Sequence, residues 1–170
     1  MDLIVRQENG QWRAQAGGPV WRCAIGPGGT RPAAEKREGD GATPLGCYAL
    51  RRLLYRADRL GKPQTDLPIT ALEPEDGWCD APQDPAYNQP VRLPYPASHE
   101  ALWRDDEIYD VIGILGHNDA PPIPGKGSCI FLHVARPDYS PTQGCVALAL
   151  PDLLAFLKQA NAQTRVCIEG

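Results

Sequence analysis

The chain is poor in the features that would send it to a membrane or a polyanion. Its 170 residues carry 17 Lys and Arg against 21 Asp and Glu, a net charge of −4, and no basic cluster forms a patch. That argues against nucleic acid as a partner. No apolar run approaches the length of a transmembrane helix, so no membrane span is expected. The N-terminal stretch Met1–Gln7 has no basic head, apolar core or small-residue cleavage site of the secretory kind. The expectation is a cytoplasmic protein, with a periplasmic one as the alternative if a leader has been removed. The six cysteines, at 23, 47, 79, 129, 145 and 167, include no C-x-x-C pair. They suggest neither a disulfide framework nor a zinc site, and they lean toward a reducing compartment with small, buried thiols.

Turn formers, by contrast, are abundant. Eighteen prolines and 17 glycines in 170 residues imply many turns and long loops around a β-rich core. Leu3–Gln7 and Gln11–Gln15 flank Asn9-Gly10, a strong hairpin signal. Further strands are expected at Val20–Ile25, Pro44 to about Tyr55, Ile108–Leu115, Cys129–Val134, Gly144–Leu148 and Thr164–Ile168. The run Ile108–Leu115 is apolar apart from Asp110, as for a strand covered on both faces. Leu150, Leu153, Leu154 and Leu157 repeat at helical spacing behind Pro151 and Asp152, which suit a first turn. A second short helix is expected over Ser98–Arg104, with Ser98 as its N-cap. Residues 57–93 show little periodicity and read as a long loop, with Trp78, Tyr87 and Asn88 either pinning it or touching substrate. These readings describe a single domain over residues 1–170, a mostly-β sandwich or barrel with one or two short helices and long loops.

One stretch carries the chemistry. Ser128-Cys-Ile-Phe-Leu-His133 ends a strand on a histidine, and Thr142-Gln143-Gly144-Cys145 opens the next. A thiol is a strong nucleophile only as thiolate and needs a neighbouring base, which His133 would be if adjacent antiparallel strands bring the two together. Gly144 allows close backbone approach, and its amides could donate to an oxyanion. The bland alternatives are a buried strand cysteine and a structural histidine. His117, in a polar loop, competes for a place in the same cleft, while His99 reads as surface. Arg136 could anchor a substrate carboxylate. Two other classes remain open: a zinc hydrolase using His117, Asp119 and His133, whose spacing matches no zinc motif, and a binding module without catalysis. No cofactor or metal is expected.

These residues resemble the catalytic domain of the L,D-transpeptidase (YkuD-type) family, in which a histidine precedes a Ser/Thr-x-Gly-Cys signature. Thr142–Cys145 matches that signature, His133 is the best-placed histidine, and Thr43-Pro44-Leu45-Gly46 resembles a Thr-Pro-x-Gly segment of the same family. The strings 36–44 and 127–133 look like a compact subgroup of it. The resemblance implies a thioester mechanism on the stem peptide of peptidoglycan or a muropeptide. Cys145 would attack the L-centre carbonyl of a tetrapeptide and release D-Ala, with His133 as base. It also implies that a backbone carbonyl near Thr142 orients the imidazole, and that amides at Gly144 and Cys145 form part of the oxyanion hole. Cross-linking members carry His where Gln143 stands, Arg where Ala147 stands, and Gly where Val134 stands. With no export signal in view, these departures lead to the expectation of a hydrolase, an L,D-carboxypeptidase that trims recycled muropeptides. A periplasmic transpeptidase is the alternative.

Overall fold

In the computed structural model, which describes residues 1–170, the Asn9-Gly10 signal does what it promised. Both residues take positive φ, 50° and 76°, and the turn joins β1 (Leu3–Glu8) to an antiparallel β2 (Gln11–Gln15). Paired positive φ values suit the right-handed twist of the flanking strands. The strand β3 (Val20–Ala24) continues the meander. Next come the short β4 (Thr30–Pro32) and the 13-residue β5 (Thr43–Tyr55).

That long strand closes the sheet. Its first half, Gly46–Ala49, pairs antiparallel with β13 (Arg165–Ile168), which lies parallel to β1. Its second half, Leu50–Tyr55, pairs with β10 (Val111–Leu115). From β10 the ladder passes to β11 (Phe131–Val134), to β12 (Val146–Leu148) and back to β3. The ring is therefore complete, and closure leaves few strand edges unpaired. The short β4 and β6 (Ile69–Ala71) flank β5 on the outside of this path. The fold is mostly β, as the sequence implied, with barrel-like closure.

Side-chain alternation along the closing strands makes two cores. Leu53, Val111, Ile130, Leu132 and Val134 join the main cluster. That cluster also takes Leu153, Phe156 and Leu157 from the one helix, α1 (Leu150–Leu157), whose Pro151 sits in the first turn. Full burial of each such side chain stabilises the fold by roughly 1.5–3 kcal/mol. Leu54, Ile112, Ile114 and Phe131 point the other way into a second cluster with Trp78, Leu102 and Tyr109. Cys129 and Cys145 belong to that second cluster too. Its cover is a three-stranded sheet of β7 (Asp76–Cys79), β8 (Pro90–Arg92) and β9 (His99–Ala101), with β7 central. All five residues of β10 are buried, so this strand is covered on both faces as expected.

Three expectations are corrected. Residues 57–93 are not a structureless loop: they hold β6, β7 and β8, too short to show a period. Ser98–Arg104 is not a helix. Residues His99–Ala101 pair with Gly77–Cys79, and the Ser98 hydroxyl donates to Asp80 at 2.6 Å instead of capping a turn. The cysteines are not all unpaired either: Cys47 and Cys167 lie directly opposite each other on β5 and β13 and form a disulfide. Their sequence separation of 120 hides this pairing, because barrel closure alone sets the register. Cys23, Cys79, Cys129 and Cys145 are free and buried. No helix is long and apolar enough to cross a membrane.

Candidate active site

His133 is the third residue of β11, and the period of 2 places it on the same face as Phe131. It faces the second core instead of the aliphatic interior. Its register partner on β12 is Ala147, and the two strands run parallel. The expected antiparallel pairing is thus corrected. The connection from Ala135 to Cys145 leaves the end of β11 and crosses back to enter β12 beside the start of β11. It is tied down where Ala135 N–H donates to Leu148 O at 2.7 Å and Thr142 N–H to Ile25 O at 2.9 Å. Parallel pairing still brings Cys145, one residue before β12, beside Phe131: the Phe131 N–H donates to Cys145 Sγ at 3.4 Å.

The signature turn is closed by its own threonine. The Thr142 hydroxyl donates to the Cys145 carbonyl at 2.7 Å and accepts the Gly144 N–H at 3.1 Å. Gly144 has φ +124°, and a Cβ there would lie 2.8 Å from the Ala42 carbonyl oxygen, so only glycine fits. The Gly144 amide is therefore engaged by Thr142 in this conformation, which leaves the Cys145 amide as the better-placed oxyanion donor of the pair.

The imidazole is oriented from within its own strand. His133 Nδ1 lies 2.9 Å from the Val134 carbonyl. The orienting carbonyl is thus that of Val134, not one near Thr142. A carbonyl only accepts, so Nδ1 carries the proton and Nε2 is the basic nitrogen. The edge-to-face ring of Tyr109, 5.3 Å away, fixes the other side. The Tyr109 hydroxyl in turn donates to Glu100 Oε2 at 2.9 Å.

Cys145 and His133 open into a cavity of about 470 Å³, which Thr142, Gln143, Arg136 and Ala147 also line. Burial, aided by the guanidinium groups of Arg104 and Arg136, lowers the His133 pKa to about 4. Burial, reinforced by the Glu100 carboxylate, pushes the Cys145 thiol up to about 12. The resting pair is therefore thiol and neutral imidazole, not an ion pair. Proton transfer belongs to the reaction itself.

Arg136 lies on the rim, 3.5 Å from Asp106, which also holds Arg104 through two contacts of 2.8 and 2.7 Å. His117 is not in this site. It is buried against Tyr48, ring edge to ring face at 5.2 Å, with Nε2 3.3 Å from the Lys126 carbonyl. Asp119 is bound by Arg51 at 3.0 Å, and no group of three metal-binding side chains forms. The donor set of the zinc alternative is thus dispersed. Trp78, Tyr87 and Asn88 are buried pins of the second sheet and do not line the cavity.

Sequence reasoning missed one whole wall. Asp80, Glu100, Arg104 and Tyr109 come from residues 80–109 and border the cavity beside Cys145. No local pattern announces them, since their placement depends on how the small sheet packs on β10 and β11. No curated protein gives a significant match to this chain. Residues 3–168 match the family model described as the L,D-transpeptidase catalytic domain, YkuD. With the match spanning almost the whole chain and a Cys145–His133 cavity at the signature turn, the protein belongs to the L,D-transpeptidase catalytic-domain family, whose activity is directed at peptidoglycan.

Proposed function

We propose that the protein is an L,D-carboxypeptidase that removes the terminal D-Ala from peptidoglycan tetrapeptide stems, acting on recycled muropeptides in the cytoplasm. The observation that carries this reading is the cationic rim at the base: Arg104 and Arg136, bridged by Asp106, line the cavity with His133. A leaving residue that ends in a free carboxylate needs such a partner next to the group that protonates its amine. Ala147, directly across from His133, is small and buried. It offers no guanidinium to hold an incoming acceptor strand, unlike the arginine of cross-linking relatives.

In the mechanism this geometry supports, His133 Nε2 takes the proton from Cys145 Sγ as the sulfur attacks the L-centre carbonyl. The oxyanion is met by the Cys145 amide. The C–N bond breaks, the imidazolium gives its proton to the departing D-Ala amine, and an acyl-thioester remains on Cys145. Water then attacks the thioester with His133 as base, and the proton returns to sulfur as the tripeptide leaves. Gln143, at the cavity mouth, contacts the incoming stem.

A second reading has one observation in its favour. The Cys47–Cys167 disulfide suits an oxidising compartment, where a transpeptidase would resolve the thioester with an amine. One experiment separates them. A defined tetrapeptide stem is incubated with the protein, with and without a D-amino acid, and the products are read by mass. Free D-Ala with tripeptide is expected in both cases. Amine adducts alone would overturn the hydrolase reading.

A further inference from the structure

The thiol of Cys145 is not hydrogen-bonded to its base at rest: Sγ donates to the backbone carbonyl of Cys129 at 3.1 Å. That carbonyl is held in an unusual way. Cys129 has φ +55°, a left-handed conformation that costs a non-glycine residue energy and persists only where its surroundings impose it. What imposes it is Asn88. Its Oδ1 accepts the Cys129 N–H at 3.2 Å and the indole N–H of Trp78 at 3.0 Å. Its Nδ2 donates to the carbonyls of His117 at 3.1 Å and Asn118 at 2.8 Å. Its own N–H is tied to Cys79 O at 2.9 Å, and the side chain is buried. An amide with all its polar atoms committed cannot swing, so the Cys129 N–H is anchored, and the left-handed φ of Cys129 turns the carbonyl on its other side toward sulfur.

A fixed carbonyl oxygen beside sulfur favours the protonated thiol, because a thiolate there would face the negative end of the dipole. The Phe131 N–H on the other side favours the thiolate. Among charged and titratable neighbours, the Glu100 carboxylate opposes ionisation of Cys145 and Lys36 assists it, while Cys129 and Tyr109 stay neutral because burial raises both. Neutral His133 completes the set. Resting on the assignment of Cys145 as nucleophile, we propose that Asn88 is a positioning residue that latches the Cys129 carbonyl onto the thiol. The free enzyme thereby holds an inert thiol, and the sulfur is released only as substrate fills the cavity.

The latch predicts reactivity up while activity falls, and because a loosened fold would also expose the buried thiol, a second variant separates the two causes. Alkylation of Cys145 by iodoacetamide at pH 7, followed by peptide mass, should run about tenfold faster in Asn88→Ala, as for a thiol pKa lowered by one unit. Release of D-Ala from the tetrapeptide should drop in the same variant. Leu102→Ala, which loosens the same buried cluster but leaves the Asn88 bonds in place, should alkylate no faster than wild type. Equal or slower alkylation in a folded Asn88→Ala, or an equal rise in Leu102→Ala, overturns the latch. If Asn88→Ala does not fold, Asn88→Ser, whose shorter side chain also releases the Cys129 N–H, takes its place with the same expectations, and the wild-type protein supplies a further check. Its alkylation rate should still climb about tenfold per pH unit above pH 9, and a plateau below pH 8 overturns the proposal. These readouts follow the thiol of the free enzyme, so they stand apart from the tripeptide-against-adduct result that tests the carboxypeptidase reading.

Discussion

The two faces of β10 and β11 come from alternate residues of the same two short strands and could hardly differ more. On one face Val111, Ile130, Leu132 and Val134 meet α1 and the rest of the ring in an all-apolar core. On the other, Phe131 shares its layer with Cys145, Cys129 and Tyr109, and His133 projects toward a cavity edged by charges. The aliphatic face can be optimised for packing alone. The second face has to keep a thiol, an imidazole and several carboxylates poised in partial burial, and it relies on an added sheet to exclude water. A period of 2 is enough to separate the tasks: stability goes to one face of a strand and chemistry to the other.

The sharpest test of that separation is Cys145→Ala. Turnover of the tetrapeptide should fall by about 10³-fold or more, with the melting temperature barely moved, as measured by D-Ala release and calorimetry. Phe156→Ala should do the converse. Truncating this fully buried ring of the aliphatic core should cost about 3–5 kcal/mol in denaturant unfolding and leave kcat/KM at temperatures below the transition nearly unchanged. If either variant damages both properties equally, the faces are not independent.

His133 links the two. Its pKa of about 4 in the fold lies below the 6.5 of an exposed histidine, so between these values the unfolded chain binds a proton that the folded chain refuses. Stability is full above about pH 6.5 and is lost as pH falls toward 4, by roughly 3 kcal/mol from this group. Urea titrations across this window should show His133→Asn flattening the slope, with a remainder from His117, whose pKa burial also lowers. The smallest effect is expected at the rim. Arg136→Ala should raise KM about tenfold and change stability by less than about 1 kcal/mol, because its Asp106 contact is long and half exposed. Steady-state kinetics on stems with a free or an amidated C-terminus should show the loss only for the free carboxylate.

What the amino-acid sequence determined by itself is local and periodic. Asn9-Gly10 declared a hairpin, the leucines of 150–157 a helix, and the all-apolar run through β10 a strand buried on both sides. Thr142, Gly144 and Cys145 are legible for the same reason: a turn closed by its own threonine and requiring a glycine lies within four residues. Everything that depends on which distant segments meet was decided by tertiary structure. The parallel register of β11 and β12, the Cys47–Cys167 bridge across 120 residues, the absence of His117 from the site and the wall of Glu100, Arg104 and Tyr109 all follow from closing the ring and seating the small sheet on it. Strands of three or four residues such as β7, β8 and β9 carry too little period to announce themselves. Their free energy of formation comes from the partner they pack on, which no local window of sequence contains.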